Sequence, residues 1–189
     1  RYVAEPGAIM ARIDEQTRAH SRQELRLHPS TYQTASIGGF IAGGSGGVGS
    51  VRWGGLRNLG SILDLKVITC EAEPRELDLE GEDILKVAHA YGTNGIIVEA
   101  EMPLTSAYDW VDMIVGFDDF IDACRFAENV ALQDGLLVKE VAPCAADGRG
   151  CSGRRNQVSR RCVAKRPSLI SVAHAPSLSI DRASDCRRR

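Results

Sequence analysis

Along the first 143 residues, apolar positions recur in short blocks whose period switches between helical and strand spacing. Arg1 to Ala4 suits a strand, and Pro6-Gly7 is a turn signal. Ala8 to about Ala19 predicts a helix with Ile9 and Ile13 on one face. Leu25 and Leu27 then alternate with charged neighbours, as in a half-buried strand leading into His28-Pro29. Ile62 to Cys70 and Glu76 to Leu79 read as two strands joined by a turn at Pro74. Asp83 is placed to cap a helix carrying Ile84, Leu85, Val87, Ala88 and Tyr91, which Gly92 ends before the apolar strand Ile96 to Ala100. After Pro103 the pattern is strand, helix, strand. Trp110 to Phe117 is β-prone, Asp118 caps a helix with Phe120, Ile121, Cys124 and Ala127 on one side, and Leu136 to Val141 closes the unit. Cys70 and Cys124 fall within these patterns and read as small core residues.

Between Leu27 and Ile62 the pattern gives way to glycine. Pro29-Ser30 opens a run that holds Gly38, Gly39, Gly43, Gly44, Gly46, Gly47 and Gly49 before a second pair, Gly54-Gly55. Each glycine gives up more backbone freedom on folding than any other residue, so such a run calls for an offsetting gain. A row of N–H groups close to an anion such as a phosphate would supply it, with Ser30, Ser36 and Ser45 adding hydroxyls. A flexible linker fits poorly, because Ile37, Phe40, Ile41, Val48, Val51 and Trp53 are interleaved with the glycines. Gly44, Gly46 and Gly49 also spell GxGxxG, with Asp64 downstream where a dinucleotide fingerprint wants an acid. That motif needs a buried strand before it and a long helix after it, whereas glycine pairs stand on both sides here.

Pro29-Ser30, Ser36-Ile37-Gly38-Gly39, Ile41-Ala42 and the glycines that follow resemble the second FAD-contacting segment of the vanillyl-alcohol oxidase, or p-cresol methylhydroxylase (PCMH) type, flavoproteins. Within that family the run looks most like the branch of D-lactate dehydrogenase and the glycolate oxidase flavoprotein subunit, where Thr usually stands in place of Ser36. Tyr91-Gly92-Thr93-Asn94-Gly95-Ile96-Ile97 resembles the family's Gly-Thr-x-Gly-Ile segment, which borders the nucleotide end of the flavin. Gly92 and Gly95 also read as plain helix caps, since glycine ends helices in any fold.

The resemblance covers about residues 1 to 143 and implies an α+β fold: the second subdomain of a PCMH-type FAD-binding domain, then the start of an α+β cap domain. The expected organisation is a partial FAD-binding domain over residues 1–105, the beginning of a substrate or cap domain over 106–143, and a basic tail over 144–189. The family's pyrophosphate loop is expected upstream of Arg1. FAD is the implied cofactor. Carried over position by position, Pro29 and Ser30 lie near its ribityl or ring end, and Ser36, Ile37, Gly38 and Gly39 near pyrophosphate and ring. Ala42, Gly43, Gly44, Ser45, Gly46 and Gly49 extend that contact, and Gly95 and Ile97 border the adenosine end.

Charge separates the tail from the body. Of the 23 Lys and Arg, 11 fall from Cys144 onward, beside only 3 of the 25 Asp and Glu. The tail mixes arginine pairs with serines and has little apolar periodicity, so disorder or an aberrant C-terminus is the expectation. Nucleic-acid binding by the arginines is disfavoured, because no aromatics interleave them. The cysteines at 144, 151, 162 and 186 lack the paired short spacings of a zinc site and have no histidine near enough to complete one, so no metal is expected. With no export signal and no apolar run of membrane-spanning length, the sequence points to a cytoplasmic protein with free thiols. His28 beside Pro29, His20 and His89 read as structural or solvent-facing residues.

Taken together, the expected function is the FAD-binding portion of a flavin-dependent dehydrogenase or oxidase acting on an alcohol or 2-hydroxy acid, incomplete and inactive alone. Its partners would be a small-molecule substrate and an electron acceptor or companion subunit that the sequence does not identify. No catalytic residue is assigned, because in the family the base and the substrate-binding arginine come from later segments. The alternatives are a nicotinamide-dependent dehydrogenase fragment built on the GxGxxG, and a non-catalytic module with a nucleic-acid-binding basic tail.

Overall fold

The computed structural model describes residues 1–144 and, as a strand, residues 168–174. The chain divides into two compact units, Arg1–Tyr108 and Asp109–Arg189. Both are α+β.

In the first unit, β1 (Tyr2–Ala4), β3 (Asp64–Ile68), β4 (Glu76–Glu80) and β5 (Ile96–Met102) form a sheet ordered β1-β5-β3-β4. Every pairing in it is antiparallel. A doubly wound dinucleotide fold needs parallel strands joined by helical crossovers, so this architecture is of a different kind. A second ribbon pairs β2 (Gln23–Leu25) with β6 (Leu104–Ser106). Alternation sets which way β3 faces: Leu65 and Val67 are buried, while Asp64 and Lys66 lie on the opposite face. The helices α1 (Met10–Ser21), α2 (Ile37–Gly43) and the single turn α3 (Ser50–Trp53) complete the unit. Met10 and Ile13 from α1, Ile37, Phe40 and Ile41 from α2, and Leu65 and Ala100 from the sheet share one apolar core.

A partly buried ion pair joins α1 to β2. Glu24 is fully buried and its carboxylate meets the Arg18 guanidinium, which also donates from Nε to Asp14 Oδ2 at 2.9 Å. Asp14 Oδ1 accepts the Leu25 amide at 3.0 Å, so the helix and the strand are tied through one carboxylate. Removing one partner of such a pair leaves a buried charge unmatched. Arg18→Ala is therefore expected to destabilise the unit by about 3 kcal/mol, read as a lower urea midpoint.

On the polar face of the sheet, Asp64 stands in register with Glu80 on one side and Glu101 on the other. Burial, then the negative charges of Asp78, Glu80, Glu101 and Glu99, raise its pKa above the usual 3.8. Since the native state holds that proton more tightly than the unfolded chain, the stability it contributes is present below 3.8. It is lost as pH rises from there through the native value. Asp64→Asn should accordingly stabilise the protein at pH 7 by a few tenths of a kcal/mol, a like-charge cross-strand term reduced by solvent. Denaturation at pH 7 and pH 3 checks this, because the gain should vanish at the lower pH.

Two expectations about this unit are corrected. The stretch expected to form an α-helix from Asp83 is a 3-10 helix, Gly81–Lys86, followed by turns. Ile84, Val87 and Ala88 are buried as helical spacing required, but Tyr91 is exposed and both His89 and Tyr91 adopt positive φ, 64° and 52°. Cys70 is exposed rather than a core residue.

In the second unit, β7 (Val111–Phe117), β8 (Val138–Cys144) and β9 (Ser168–His174) form an antiparallel sheet ordered β7-β9-β8. Asp119, not Asp118, caps α4 (Phe120–Ala131), accepting from the Ile121 amide at 2.8 Å and the Asp122 amide at 3.2 Å. The face of α4 that is buried carries Ala123 and Ala127, which pack with Val138, whereas Phe120 and Ile121 are exposed. That shifts the expected apolar face around the helix. Cys124 is a free thiol and Cys144 is disulfide-bonded, against the free thiols expected throughout. Part of the tail expected to be disordered, Ser168–His174, is instead the middle strand β9, and the other residues from 145 on lie outside the described residues. Among those described, no helix is long and apolar enough to cross a membrane, and no group of His, Cys, Asp or Glu is arranged to hold a metal ion.

Candidate nucleotide-cofactor site

The glycine run folds first into α2, and its N-terminus is fully committed to the protein. Ser36 is the N-cap, its Oγ accepting from the Gly39 amide at 3.2 Å. The Ile37 amide donates to the Ala8 carbonyl at 2.9 Å, Gly38 to the Pro6 carbonyl at 2.9 Å, and Phe40 to the Ser36 carbonyl at 3.0 Å. The amides of residues 37–40, expected to face an anion, are thus spent on internal partners.

What the glycines provide is closeness. A Cβ on Gly38 would sit 2.5 Å from the Pro6 Cβ, so only glycine lets α2 meet the Pro6-Gly7 turn. At the other end Gly44, at φ 65°, donates to the Phe40 carbonyl at 3.0 Å, and a Cβ there would lie 2.2 Å from that of His89. The His89 and Tyr91 amides bond the Ile41 and Ala42 carbonyls at 3.0 and 3.1 Å. A two-point clamp holds the helix, with the Pro6-Gly7 turn at its start and residues 89–91 at its end.

Beside α2 runs a cleft of about 410 Å³, lined by Pro6, Gly7, Ser36, Gly38, Gly39, Ala42, Val87, Gly92, Gly95, Ile96 and Ile97. None of these residues is charged. Of the residues singled out from sequence, Ser36, Gly38, Gly39, Ala42, Gly95 and Ile97 come together on this cleft. Ile37 does not, being fully buried in the core. Pro29 and Ser30 lie in the preceding turn, where the Pro29 carbonyl accepts the Tyr32 amide at 3.0 Å. Gly43 ends α2 and Gly44 caps it, Ser45 and Gly46 are exposed beyond it, and Gly49 is packed on the Arg26 backbone. Pro6, Gly7, Val87, Gly92 and Ile96 were not picked out from the sequence as site residues. Gly92 and Ile96 do stand in the 91–97 segment marked by resemblance, and Pro6-Gly7 in a stretch marked only as a turn.

His28 is engaged locally. Its backbone exchanges two hydrogen bonds with Val48, at 3.2 and 2.7 Å, and its ring lies 4.6 Å from that of Tyr32. A second, smaller cavity of about 170 Å³ is lined by Tyr2, Arg26, Trp53, Ser61 and neighbours. Burial, with the charge of Asp14 second, raises the Tyr2 pKa, so its phenol stays neutral.

An antiparallel α+β unit with an uncharged, glycine-backed cleft is a domain suited to a flat, extended cofactor. Residues 1–78 match the FAD binding domain family. Among solved structures, the chain is similar to alkyldihydroxyacetonephosphate synthase in two crystal forms, P1 and P212121. The TM-scores are 0.66 and 0.65 at 15% and 14% identity, with 92% of this chain covered in each case. This chain spans 34% of the length of those structures. No curated protein sequence matches it. Over residues 1–78 the chain thus carries the pattern of an FAD binding domain, a family whose cofactor is FAD.

Proposed function

We propose that this chain supplies the FAD-holding part of a flavin-dependent oxidoreductase acting on an alcohol or 2-hydroxy acid, with residues 1–105 holding the cofactor and residues from 106 beginning the substrate-facing domain. One observation carries the reading: the cleft along α2, where Gly38 and Gly39 bare the backbone on one side and Gly92 to Ile97 form the other. The cleft fits the uncharged parts of FAD, a ring or a sugar chain, against glycine backbone and the apolar side chains of Val87 and Ile97. Ser36, Gly38, Gly39 and Ala42 would lie along it on one side, and Gly95 and Ile97 on the other. Bound there, FAD would supply the capacity to accept two electrons from a substrate C–H bond, the protein contributing binding and orientation.

The uncharged lining has a further consequence. The pyrophosphate of FAD carries negative charge that neither the lining side chains nor the engaged amides of α2 neutralise. Binding by this chain is thus weak, and the purified protein should be colourless until FAD is added. Titration of FAD, followed by flavin fluorescence, should give saturable binding that NAD does not compete away. No saturation, or displacement by NAD, would overturn the reading. The nicotinamide alternative has little to stand on, because α2 occupies the position before Gly44 where its motif needs a strand, and only the four-residue α3 follows.

A further inference from the structure

The geometry points to Tyr91, braced by His89, as an aromatic platform at the rim of this cleft that stacks on a planar ring of the flavin nucleotide. The inference rests on the cleft being the flavin site and adds to it a residue that the lining does not include.

Three observations carry it. Tyr91 is 73% exposed, the largest exposure among the large apolar and aromatic side chains described, so its ring contributes little to the core. It nevertheless stands at the cleft. Its amide bonds the carbonyl of Ala42, and its successor is Gly92, both of which line the cleft. His89 Nε2 lies 3.2 Å from the Tyr91 hydroxyl, and the two rings are 5.3 Å apart with a 60° tilt. Two neighbouring aromatic rings in contact restrict each other, which lowers the entropy cost of presenting a flat face to a ligand.

The backbone does not account for these side chains. His89 and Tyr91 cap the last carbonyls of α2 through their amides, and any residue type can do that. Both hold positive φ, where glycine would serve at lower cost. Keeping two bulky side chains in that conformation is the kind of strain found at functional sites, where the side chain rather than the fold requires it. The chemistry such a platform recognises is the π-face of a heterocycle. FAD offers two, adenine and isoalloxazine.

Ligand-observed saturation-transfer NMR on the full chain tests this, with FAD, FMN and ADP as probes and Tyr91→Gly, Tyr91→Leu and Tyr91→Phe beside the parent. Tyr91→Gly should weaken binding of FAD about fivefold or more, as loss of one aromatic stack does. Its melting temperature should stay level or rise, because the positive φ is relieved. Tyr91→Leu keeps the strain and the bulk and should weaken binding comparably, whereas Tyr91→Phe should bind within about twofold of the parent because the π-face is retained. Loss seen with FMN assigns the isoalloxazine to the platform, and loss seen with ADP assigns adenine. If the parent binds FAD and both Tyr91→Gly and Tyr91→Leu bind it equally well, the platform is refuted and the cleft stands. If the parent binds none of the three probes, the cleft reading falls and the platform with it.

Discussion

Gly39→Leu is expected to reduce FAD binding tenfold or more while leaving the fold intact. Gly39 is exposed, lines the cleft, and has only Ser36 Oγ, at 3.1 Å, within reach of an added Cβ. A larger side chain therefore extends into open space, and that space is the cleft. Leucine is also the better helix former, by about 0.8 kcal/mol over glycine, so α2 loses nothing by the change. The melting temperature should stay within a few degrees of the parent. The neighbouring position behaves differently, because an added Cβ on Gly38 meets the Pro6 side chain and backbone and would disturb the fold as well as the site. Parallel titrations of FAD by fluorescence read the effect, and unchanged affinity in Gly39→Leu would place the ligand elsewhere.

Gly49→Ala should be the most destabilising single substitution in the glycine run. A Cβ there would lie 2.0 Å from the Arg26 carbonyl oxygen and 3.1 Å from its carbon, at φ 100°. The backbone of Arg26 has little room to retreat. Leu25 and Leu27 on either side are buried, and Arg26 Nε donates to the Leu104 carbonyl at 3.1 Å. Overpacking and left-handed strain add, and the loss should exceed about 3 kcal/mol. Urea unfolding measures it. A loss below about 1 kcal/mol would mean that the segment after α2 moves away from β2 at little cost.

The glycines of this run show how far the sequence could be read. The run was legible as backbone brought into close contact, and Ser36-Ile37-Gly38-Gly39 was legible as the core of a flavin-family segment. The partner of that contact was not. Gly38 and Gly49 approach Pro6 and Arg26, whereas an anion had been the expected neighbour, and composition alone does not distinguish a ligand from another stretch of chain. Strands with clear alternation, such as Asp64–Ile68 and Glu76–Glu80, were legible because period and turn agreed. The helix expected from Asp83 failed at its end. Apolar spacing fixed which residues are buried, but the capping of α2 by His89 and Tyr91 pulled the chain into left-handed turns that no local signal marks. In α4 Ala123 faces inward beside the expected Ala127 while Phe120 and Ile121 are exposed, since the helix packs its small residues on β8. Pro6 and Gly7 were seen as a turn and missed as part of the site, because their place beside α2 depends on tertiary packing.

The most direct measurement is an amide-resolved NMR titration of the isotopically labelled chain with FAD. Saturable shifts should concentrate at Gly38, Gly39 and Ala42 on one side of the cleft and at Gly92, Gly95 and Ile97 on the other. Residues around the smaller cavity, such as Trp53 and Ser61, should stay still. Shifts confined to that second group, or none at FAD concentrations well above a millimolar, would contradict the account.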